Sequence, residues 1–302
     1  MEKNRACFDI FYRKQGDMTA YAVAAGLEQA IDYVKNLHFS ADDIAYLRSL
    51  KIFDDAFLEK LSTLRFTGEI LAVPEGTVIF PGEPIVRVIA PIMEAQLLET
   101  TLLNIINHQT LIATKASRVV QAARGDSVLE FGLRRAQGPD AGIYGARAAI
   151  IGGCQATSNV LTGQMFGVPI GGTHAHSWVM SFPDELTAFR AYAEVFPENC
   201  LLLVDTYDTL SSGIPNAITV FNELRAKGYE PTGIRLDSGD LAFLSRQARK
   251  MLDAAGFPNA KIFASGDLDE EVIWDLKAQG AAINVWGVGT RMITSMDNPA
   301  LG

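Results

Sequence analysis

From residue 125 onward the chain repeats one pattern: a short apolar run, a polar or glycine-rich loop, and then a helical stretch. The apolar runs predict strands at 128–132, 168–172, 200–205, 233–237, 261–265 and 283–288. Helical stretches lie between them, for example at 185–196, 216–227, 240–255 and 269–279. Regular alternation of strands and helices predicts parallel strands joined by right-handed crossovers, and therefore an α/β fold.

All six predicted strands end in polar or glycine-rich residues. In an α/β barrel every strand end meets at one rim, and barrels bind their ligands at that rim. A doubly wound sheet binds ligands only near the point where its strand order reverses. The pattern therefore favours an irregular α/β barrel of parallel strands.

The first 124 residues have a different character. Residues 18–64 carry apolar residues near helical spacing, with Ser40 expected to cap a helix that begins at residue 41. Residues 66–90 alternate short β-rich runs with Gly and Pro, which predicts a small antiparallel unit. A long apolar helix is expected from Pro91 towards Val120. We therefore expect a smaller helical and β-rich domain at 1–124, ahead of the α/β barrel at 125–302.

Charge and cysteine content argue against several classes of protein. The formal net charge is -9, which argues against a nucleic-acid partner but is compatible with a local cationic pocket. Cys7, Cys154 and Cys200 lie far apart with no CxxC pair, as expected in a reducing compartment. No apolar run has the length of a membrane span, and the N-terminus has no signal-peptide pattern. We expect a cytoplasmic protein with no membrane partner.

The end of the first predicted strand carries the most informative residues. Phe131 and Arg134 lie in the segment EFGLRRAQGPDAG, where Asp140 is expected to cap the following helix. Arginines at a strand end favour a planar anionic ligand, either a carboxylate or a phosphate.

Later strand ends are rich in glycine. A Ser-Gly-Asp sequence occurs at 238–240 and again at 265–267, and a third end contains Gly287 and Gly289. Glycine lets backbone N–H groups approach a phosphate closely. Together with the arginines and aspartates of the same rim, these turns predict a phosphorylated ligand bound with Mg²⁺.

The aspartates of the rim have two interpretations. Asp205, Asp208 and Asp237 are candidates to bind Mg²⁺, which takes few carboxylates together with water and ligand oxygens, or to bind ribose hydroxyls. Helix capping is the alternative, and it is at least as well supported for Asp240 and Asp267.

Two histidines, His174 and His176, lie in the segment GGTHAHSW. No HxxxH pair or neighbouring cysteine completes a zinc site around them. We expect His176 to act as a nucleophile or an acid–base group, with a capping or core histidine as the alternative, and we expect His174 only to cap the loop. The chain also lacks GxxxxGK[ST] and GxGxxG, so neither a P-loop nor a dinucleotide fingerprint is present.

These motifs together resemble the nicotinate phosphoribosyltransferase family. EFGLRRAQGPDAG, GGTHAHSW, VDTYDT, GIRLDSGDL and WGVGTR occur in the family's order, and the resemblance covers nearly the whole chain. It implies a type II phosphoribosyltransferase of NAD biosynthesis, which joins nicotinate to phosphoribosyl pyrophosphate and releases nicotinate mononucleotide and pyrophosphate. It further implies coupled ATP hydrolysis with ATP as co-substrate, a Mg²⁺ cofactor and a homodimer.

The resemblance also implies roles for single residues. Phe131 resembles the aromatic residue that stacks on the pyridine ring, and Arg134 the arginine beside it, near the substrate carboxylate or phosphate. His176 resembles the histidine that ATP transiently phosphorylates. Arg235 and Asp237 resemble residues at the ribose–pyrophosphate site.

Further contacts are implied at the other strand ends. The cradle for the nucleotide's ribose and phosphate is expected from Gly266, Asp267, Gly287 and Gly289. The remaining substrate contacts are expected from Thr173, Asp205, Ser265 and Thr290. Asp205 and Asp237 are the expected Mg²⁺ ligands.

Two alternatives stay open at this point. The related nicotinamide enzyme resembles the chain around Phe131 but carries an aspartate at the position of Ser158, and a carboxylate there would repel nicotinate. Ser158 therefore favours the acid over the amide. The family's opening Thr-Asp-x-Tyr segment and its C-terminal portion are not recognised, so we expect the core of such an enzyme, short at both ends. A non-catalytic phosphate-binding fragment or subunit is the second alternative.

Overall fold

The computed structural model describes residues 4–13, 20–296 and 300. The chain divides into two compact units, of which the first comprises the residues up to Thr114 together with residue 300, and the second begins at Lys115. This division falls within a helix that extends over Ile92–Ala122, whose end lies close to the expected boundary at residue 124.

The first unit contains short strands and helices. Its strands are β1 (Arg5–Ile10), β2 (Ala22–Val23), β3 (Glu69–Ala72), β4 (Val78–Ile79) and β5 (Val86–Pro91). Its helices are α1 (Leu27–Asn36), α2 (Ala41–Ser49) and α3 (Asp55–Ser62), and α4 (Ile92–Ala122) begins in it. Strand β5 pairs antiparallel with β1 on one side and β3 on the other, while β2 pairs with β4.

The sequence predictions for this unit are confirmed in part. Ser40 caps α2, because its hydroxyl accepts a hydrogen bond from Asp43 N at 3.1 Å and its own N–H donates to the Asp43 carboxylate. The helical prediction for 18–64 is wrong at β2, and its residues 18 and 19 lie outside the described part of the chain. The sequence does not predict strand β1, because apolar and polar residues do not alternate regularly in RACFDI.

The second unit is an α/β structure. Its strands are β6 (Ser127–Glu130), β7 (Ala156–Thr157), β8 (Leu201–Leu203), β9 (Gly233–Leu236), β10 (Lys261–Ala264) and β11 (Val285–Val288). Its helices are α5 (Pro139–Ile151), α6 (Val160–Phe166), α7 (His176–Val179), α8 (Glu185–Val195), α9 (Ile214–Ala226), α10 (Leu241–Ala254), α11 (Glu270–Ala278) and α12 (Thr290–Ile293).

The strand order identifies a barrel rather than a doubly wound sheet. The sheet is parallel throughout and runs β7-β6-β11-β10-β9-β8. The last strand along the chain therefore pairs with the first strand of this unit, as in a sheet that curls towards closure. All four residues of β11 are buried, as expected for a parallel strand covered on both faces. The predicted irregular α/β barrel is confirmed.

Two local predictions in this unit are wrong. Residues 168–172 do not form a strand, and only an isolated parallel bridge joins Ile170 to Thr157. Pro169 lacks an N–H group, and Gly171 with Gly172 weakens strand formation, which explains the short pairing. Asp140 does not cap α5, because that helix begins one residue earlier and Gly138 is its N-cap.

Candidate active site

The loops that follow the carboxyl ends of the strands surround one cavity of about 480 Å³. Asp205 and Asp208 are not among its lining residues, whereas the other predicted ligand-binding and catalytic residues line it: Phe131, Arg134, Ser158, Thr173, His176, Arg235, Asp237, Ser265, Gly266, Asp267, Gly287, Gly289 and Thr290. Residues more than 150 positions apart in the chain therefore meet at one place. Their individual roles stay predictions.

Arg235, in β9, forms hydrogen bonds with three different loops. Its Nε donates to Ser265 Oγ at 2.7 Å and its Nη1 to Thr173 Oγ1 at 2.9 Å. Its Nη2 donates to Asp237 Oδ1 at 2.9 Å, and the Ser265 hydroxyl donates to the same carboxylate oxygen. Three loops of the rim are thereby fixed around one half-buried guanidinium group.

Asp205 lies behind the cavity wall and connects two of its residues. Its Oδ2 accepts hydrogen bonds from Asp237 N at 2.8 Å and from Ser238 Oγ at 2.6 Å. Its Oδ1 lies 3.2 Å from His176 Nε2. The Asp205 side chain is 1% exposed and that of His176 is 38% exposed. Asp205 therefore orients a partly exposed imidazole ring and the start of the loop after β9.

The ring of Phe131 packs against a glycine. A Cβ atom built on Gly287 would lie 2.6 Å from Phe131 Cδ2, so only glycine leaves room for the ring there. The Arg235 guanidinium carbon lies 5.4 Å from the centroid of the same ring. An aromatic face with a cation nearby suits a flat, electron-poor or anionic ring.

The cavity is cationic although the chain is acidic. Arg134 and Arg135 lie in a 3₁₀ turn after β6 and are exposed, and neither has an ion-pair partner among the described residues. With Arg235 they outnumber Asp237 and Asp267, the two aspartates of the lining. An anionic ligand would therefore find unpaired guanidinium groups at this rim.

The glycine-rich turns have the backbone geometry expected of close approaches. Gly266 has φ +99°, and a Cβ atom there would lie 2.3 Å from the carbonyl oxygen of Asp237. Asp267 has φ +47° and does not cap α11, whose N-cap is Asp269. Asp240 does cap α10, accepting from Phe243 N at 2.9 Å.

The Asp208 side chain is hydrogen-bonded within its own loop and lies outside the cavity. Its side chain accepts a hydrogen bond from Ser211 N at 2.7 Å. Hydrogen bonds from the side chain and the backbone of Ser211 lower the pKa of its carboxyl group. Asp208 is exposed and is not among the residues that line the cavity. Among the described residues no group of three or more His, Cys, Asp or Glu side chains is arranged to bind a metal by itself.

His174 does not cap the loop, which corrects the prediction from the sequence. It is buried, its Nε2 lies 3.3 Å from Leu203 N, and its ring centroid lies 4.7 Å from that of Tyr192 and 5.0 Å from that of Trp178. Helix α7 has Ala175 as its N-cap, with no side-chain cap. Burial lowers the pKa of His174 to about 4, so its ring is neutral at pH 7 and accepts from the backbone.

Sequence reasoning missed several residues at the cavity. Gly172, Ala175 and Leu203 line it, together with His174 and with Arg135, the second of the adjacent arginines expected to favour an anionic ligand. The signal for Arg135 was present, since it directly follows Arg134 in the same motif. Glu130 was also missed, although an acidic residue at the end of an apolar strand is unusual.

The fold and cavity together define an α/β-barrel protein with a cationic, glycine-rich cavity at the rim of its strand ends. Residues 1–107 match the family model described as the nicotinate phosphoribosyltransferase (NAPRTase) N-terminal domain. Over 302 residues the chain is 54% identical to nicotinate phosphoribosyltransferase of Bacillus subtilis (strain 168), covering 100% of this chain and 61% of the relative.

Solved structures agree with this match. The crystal structure of human nicotinic acid phosphoribosyltransferase superposes with a TM-score of 0.88 at 34% identity, over 95% of this chain and 69% of the human chain. That of nicotinate-nucleotide pyrophosphorylase from Pyrococcus furiosus superposes with a TM-score of 0.77 at 26% identity, over 96% of this chain and 66% of that one. The chain belongs to the nicotinate phosphoribosyltransferase family, and the resemblance seen in its motifs is confirmed.

The chain spans 61% of the length of the Bacillus subtilis relative and 63% of the length of the Mycobacterium tuberculosis relative named nicotinate phosphoribosyltransferase pncB2. Within the described residues, no helix combines the length and the apolar character that crossing a membrane requires.

Proposed function

We propose that the chain transfers the phosphoribosyl group of phosphoribosyl pyrophosphate to nicotinate, forming nicotinate mononucleotide and pyrophosphate in NAD biosynthesis. The observation that carries this proposal is the composition of one cavity. It combines the ring of Phe131, the unpaired guanidinium groups of Arg134 and Arg135, and glycine turns on neighbouring strand ends. Nicotinate is a flat anionic ring, and phosphoribosyl pyrophosphate presents two phosphate-bearing ends.

In this proposal the pyridine ring stacks on Phe131, and Arg134 pairs with the nicotinate carboxylate. Arg235 and Asp237 face the ribose and its pyrophosphate, while the turns at Gly266 and Gly289 approach the phosphates. Displacement at the anomeric carbon builds positive charge on the ribose and negative charge on the leaving pyrophosphate. Cationic groups near the leaving group lower the barrier to that step.

The carboxylates of Asp205 and Asp237 differ in whether they have an oxygen available to bind Mg²⁺. Both oxygens of Asp205 already contact protein groups, namely His176 on one side and Asp237 N with Ser238 Oγ on the other. Asp237 lines the cavity, and its hydrogen bonds to Arg235 and Ser265 use Oδ1 alone. We therefore propose Asp237 as the protein ligand, with substrate oxygens and water completing the shell. When bound, Mg²⁺ would neutralise charge on the departing pyrophosphate.

We further propose that His176 accepts a phosphoryl group from ATP as co-substrate. Asp205 Oδ1 can only accept a hydrogen bond, so the proton of a neutral His176 ring lies on Nε2. The lone pair of Nδ1 is then available as the nucleophile, with ADP as the leaving group. A chain without a P-loop could use ATP in this way. By family membership we also propose a homodimer that acts in the cytoplasm.

The proposed activity is tested by incubating the purified protein with labelled nicotinate, phosphoribosyl pyrophosphate, Mg²⁺ and ATP. We expect labelled nicotinate mononucleotide, and far less product from nicotinamide under the same conditions. Equal turnover of the amide would contradict the assigned specificity. Absence of both product formation and calorimetric binding of phosphoribosyl pyrophosphate would contradict the proposed function.

A further inference from the structure

Glu130, the last residue of β6, is fully buried although it is acidic. It forms no ion pair among the residues that the structure describes. Its carboxyl group instead accepts hydrogen bonds from the Gly132 N–H and from Thr157 Oγ1, the latter at 2.6 Å. Burial raises the pKa of this carboxyl group. A buried carboxyl group is costly unless it is hydrogen-bonded, so these two bonds determine where it can lie.

The first bond fixes the loop after β6. Gly132 is followed by a 3₁₀ turn in which Arg135 N donates to Gly132 O at 2.8 Å. A Cβ atom on Gly132 would lie 2.8 Å from Glu130 Oε1 and 2.4 Å from Ile293 Cβ, so this approach requires glycine. Phe131 and Arg134 flank the fixed position. Both line the cavity.

The second bond fixes the loop after β7. Thr157 Oγ1 donates to Glu130 and also accepts from Asn159 N at 3.0 Å. The Glu130 backbone carbonyl accepts from Ser158 N at 2.9 Å. Ser158 lines the cavity. Its own N–H group is bonded to the Glu130 carbonyl, and the residue before it, Thr157, is bonded to the Glu130 carboxyl group.

The sheet itself does not need these side-chain bonds. Backbone pairing already places Glu130 beside Thr157 on one side and beside Val288 on the other. The carboxyl group adds contacts only at the strand ends, where the two loops begin. Its hydrogen bonds therefore serve the loops rather than the register of the strands.

We propose that Glu130 is a positioning residue for the pyridine half of the site. Its carboxyl group sets the distance between the loop that carries Phe131 and Arg134 and the loop that carries Ser158. This inference rests on the proposed function, because it presumes that nicotinate lies between these loops. Phosphoribosyl pyrophosphate, which is assigned to the strand ends after β9, β10 and β11, should not depend on Glu130, because neither hydrogen bond of the Glu130 carboxyl group reaches those loops.

The test changes the hydroxyl partner and leaves Glu130 in place. Thr157→Val removes the hydroxyl with almost no change of shape, and Thr157→Ser retains it. Thr157→Val removes both the bond to Glu130 and the acceptor of Asn159 N, and we expect it to weaken calorimetric binding of nicotinate about tenfold. Thr157→Ser should bind nicotinate within threefold of the wild type. Binding of phosphoribosyl pyrophosphate should change less than twofold in both variants.

Equal nicotinate affinity in the Thr157→Val variant and the wild type would overturn the positioning role, and so would an equal loss for both ligands. Hydrogen exchange tests the positioning role of Glu130 independently of the proposed function. In Thr157→Val, backbone amides of 131–135 and 157–160 should exchange faster, with those of β9 unchanged. Unchanged exchange in both loops contradicts the role of Glu130. A wild type that binds neither ligand contradicts the proposed function instead.

Discussion

Arg235 is the residue on which the geometry of the rim depends most directly. Its three hydrogen bonds reach partners that lie 62, 30 and 2 positions away in the chain. Hydrogen bonds to a charged group contribute about 1.5–3 kcal/mol each. Removal of the guanidinium group would also leave Asp237 without its cation. The loops after β9 and β10 therefore depend on one side chain.

Ser158 is the residue that we expect to decide the proposed preference for an acid over an amide. We predict that Ser158→Asp raises the KM for nicotinate roughly tenfold, since a carboxylate at the rim repels the substrate by about 1–2 kcal/mol. The KM for nicotinamide should fall or stay unchanged. Ser158→Asn, which adds similar bulk without charge, is the control. An equal rise of the KM for nicotinate in Ser158→Asp and Ser158→Asn would show that the size of the side chain, and not its charge, determines the effect.

His176 is predicted to be the residue that ATP phosphorylates. Incubation with γ-labelled ATP should give a label that is labile in acid and stable in base, as expected for a phosphohistidine. His176→Asn should abolish the label, whereas His174→Gln should retain it because His174 is buried. Asp205→Asn should slow labelling, since it removes the carboxylate that orients the ring. Label that persists in a folded His176→Asn variant contradicts the assignment.

His174 should make the stability of the second unit depend on pH. Burial lowers its pKa in the folded chain to about 4, whereas the unfolded value is near 6.5. The unfolded chain therefore binds a proton first as the pH falls, and stability is lost between pH 6.5 and pH 4. The contribution is about 3 kcal/mol.

All three tryptophans lie in the second unit, so their fluorescence in urea reports its unfolding. Between pH 7 and pH 4 the wild type should lose about 3 kcal/mol more unfolding free energy than His174→Gln. His38→Gln, a change at an exposed histidine in the first unit, should behave like the wild type. Parallel pH profiles for His174→Gln and the wild type would contradict the account.

At the scale of elements, the turn after each strand decides where the site residues lie. Capping aspartates at the starts of α8, α10 and α11 accept from backbone N–H groups three residues later, at 2.8, 2.9 and 2.8 Å. Each such cap contributes about 1 kcal/mol. These caps end the loops at defined points, so the residues before them lie at a defined place on the rim.

The turn after β10 gives the sharpest test at this scale. Gly266→Ala places a methyl group 2.3 Å from the Asp237 carbonyl oxygen and requires φ near +99°. We predict a loss of about 2–4 kcal/mol in unfolding free energy and weaker binding of phosphoribosyl pyrophosphate. Gly280→Ala is the matched control, because Gly280 has φ +73° but open space around it. Its cost should be about 1 kcal/mol, without effect on binding. Similar losses of unfolding free energy in Gly266→Ala and Gly280→Ala would contradict the claim that the close contact with the Asp237 carbonyl requires glycine at position 266.

The elements most easily predicted from the sequence were those with local signals at both ends. Strands β9 and β10 are apolar runs bounded by glycine or polar residues, and α10 begins at a capping aspartate, so their positions follow from nearby residues. Strand β7 has two residues and offers no periodicity. The run at 168–172 is apolar at its start, but its pairing depends on Thr157, which local sequence does not indicate.

For the candidate site, too, local sequence signals could be predicted, whereas contacts between residues distant in the chain could not. Residues at strand ends could be assigned to one rim, because parallel strands place their carboxyl ends together. The position of Asp205 behind His176 could not be predicted, since it depends on a contact across 29 residues. The burial of His174 among Trp178 and Tyr192 likewise follows from tertiary packing alone.

At the scale of the whole molecule, the cyclic order of the strands and the distribution of charge act together. Because β11 pairs with β6, the ends of the first and last strands of the second unit are neighbours, and Gly287 lies under Phe131. The chain carries a formal charge of -9, yet the cavity is lined by more arginines than aspartates. An anionic substrate is therefore repelled by most of the surface and attracted at the rim.

The central claim is that phosphoribosyl transfer to nicotinate takes place in this cavity. The most direct measurement is the rate of nicotinate mononucleotide formation by the wild type, by Asp237→Ala and by Asp253→Ala, which removes an exposed carboxylate paired with Arg249. We predict measurable product from the wild type and an unchanged rate in Asp253→Ala. In Asp237→Ala the rate of product formation should fall at least a hundredfold, which corresponds to about 3 kcal/mol in the activation barrier. Unchanged product formation by a folded Asp237→Ala variant would contradict the central claim.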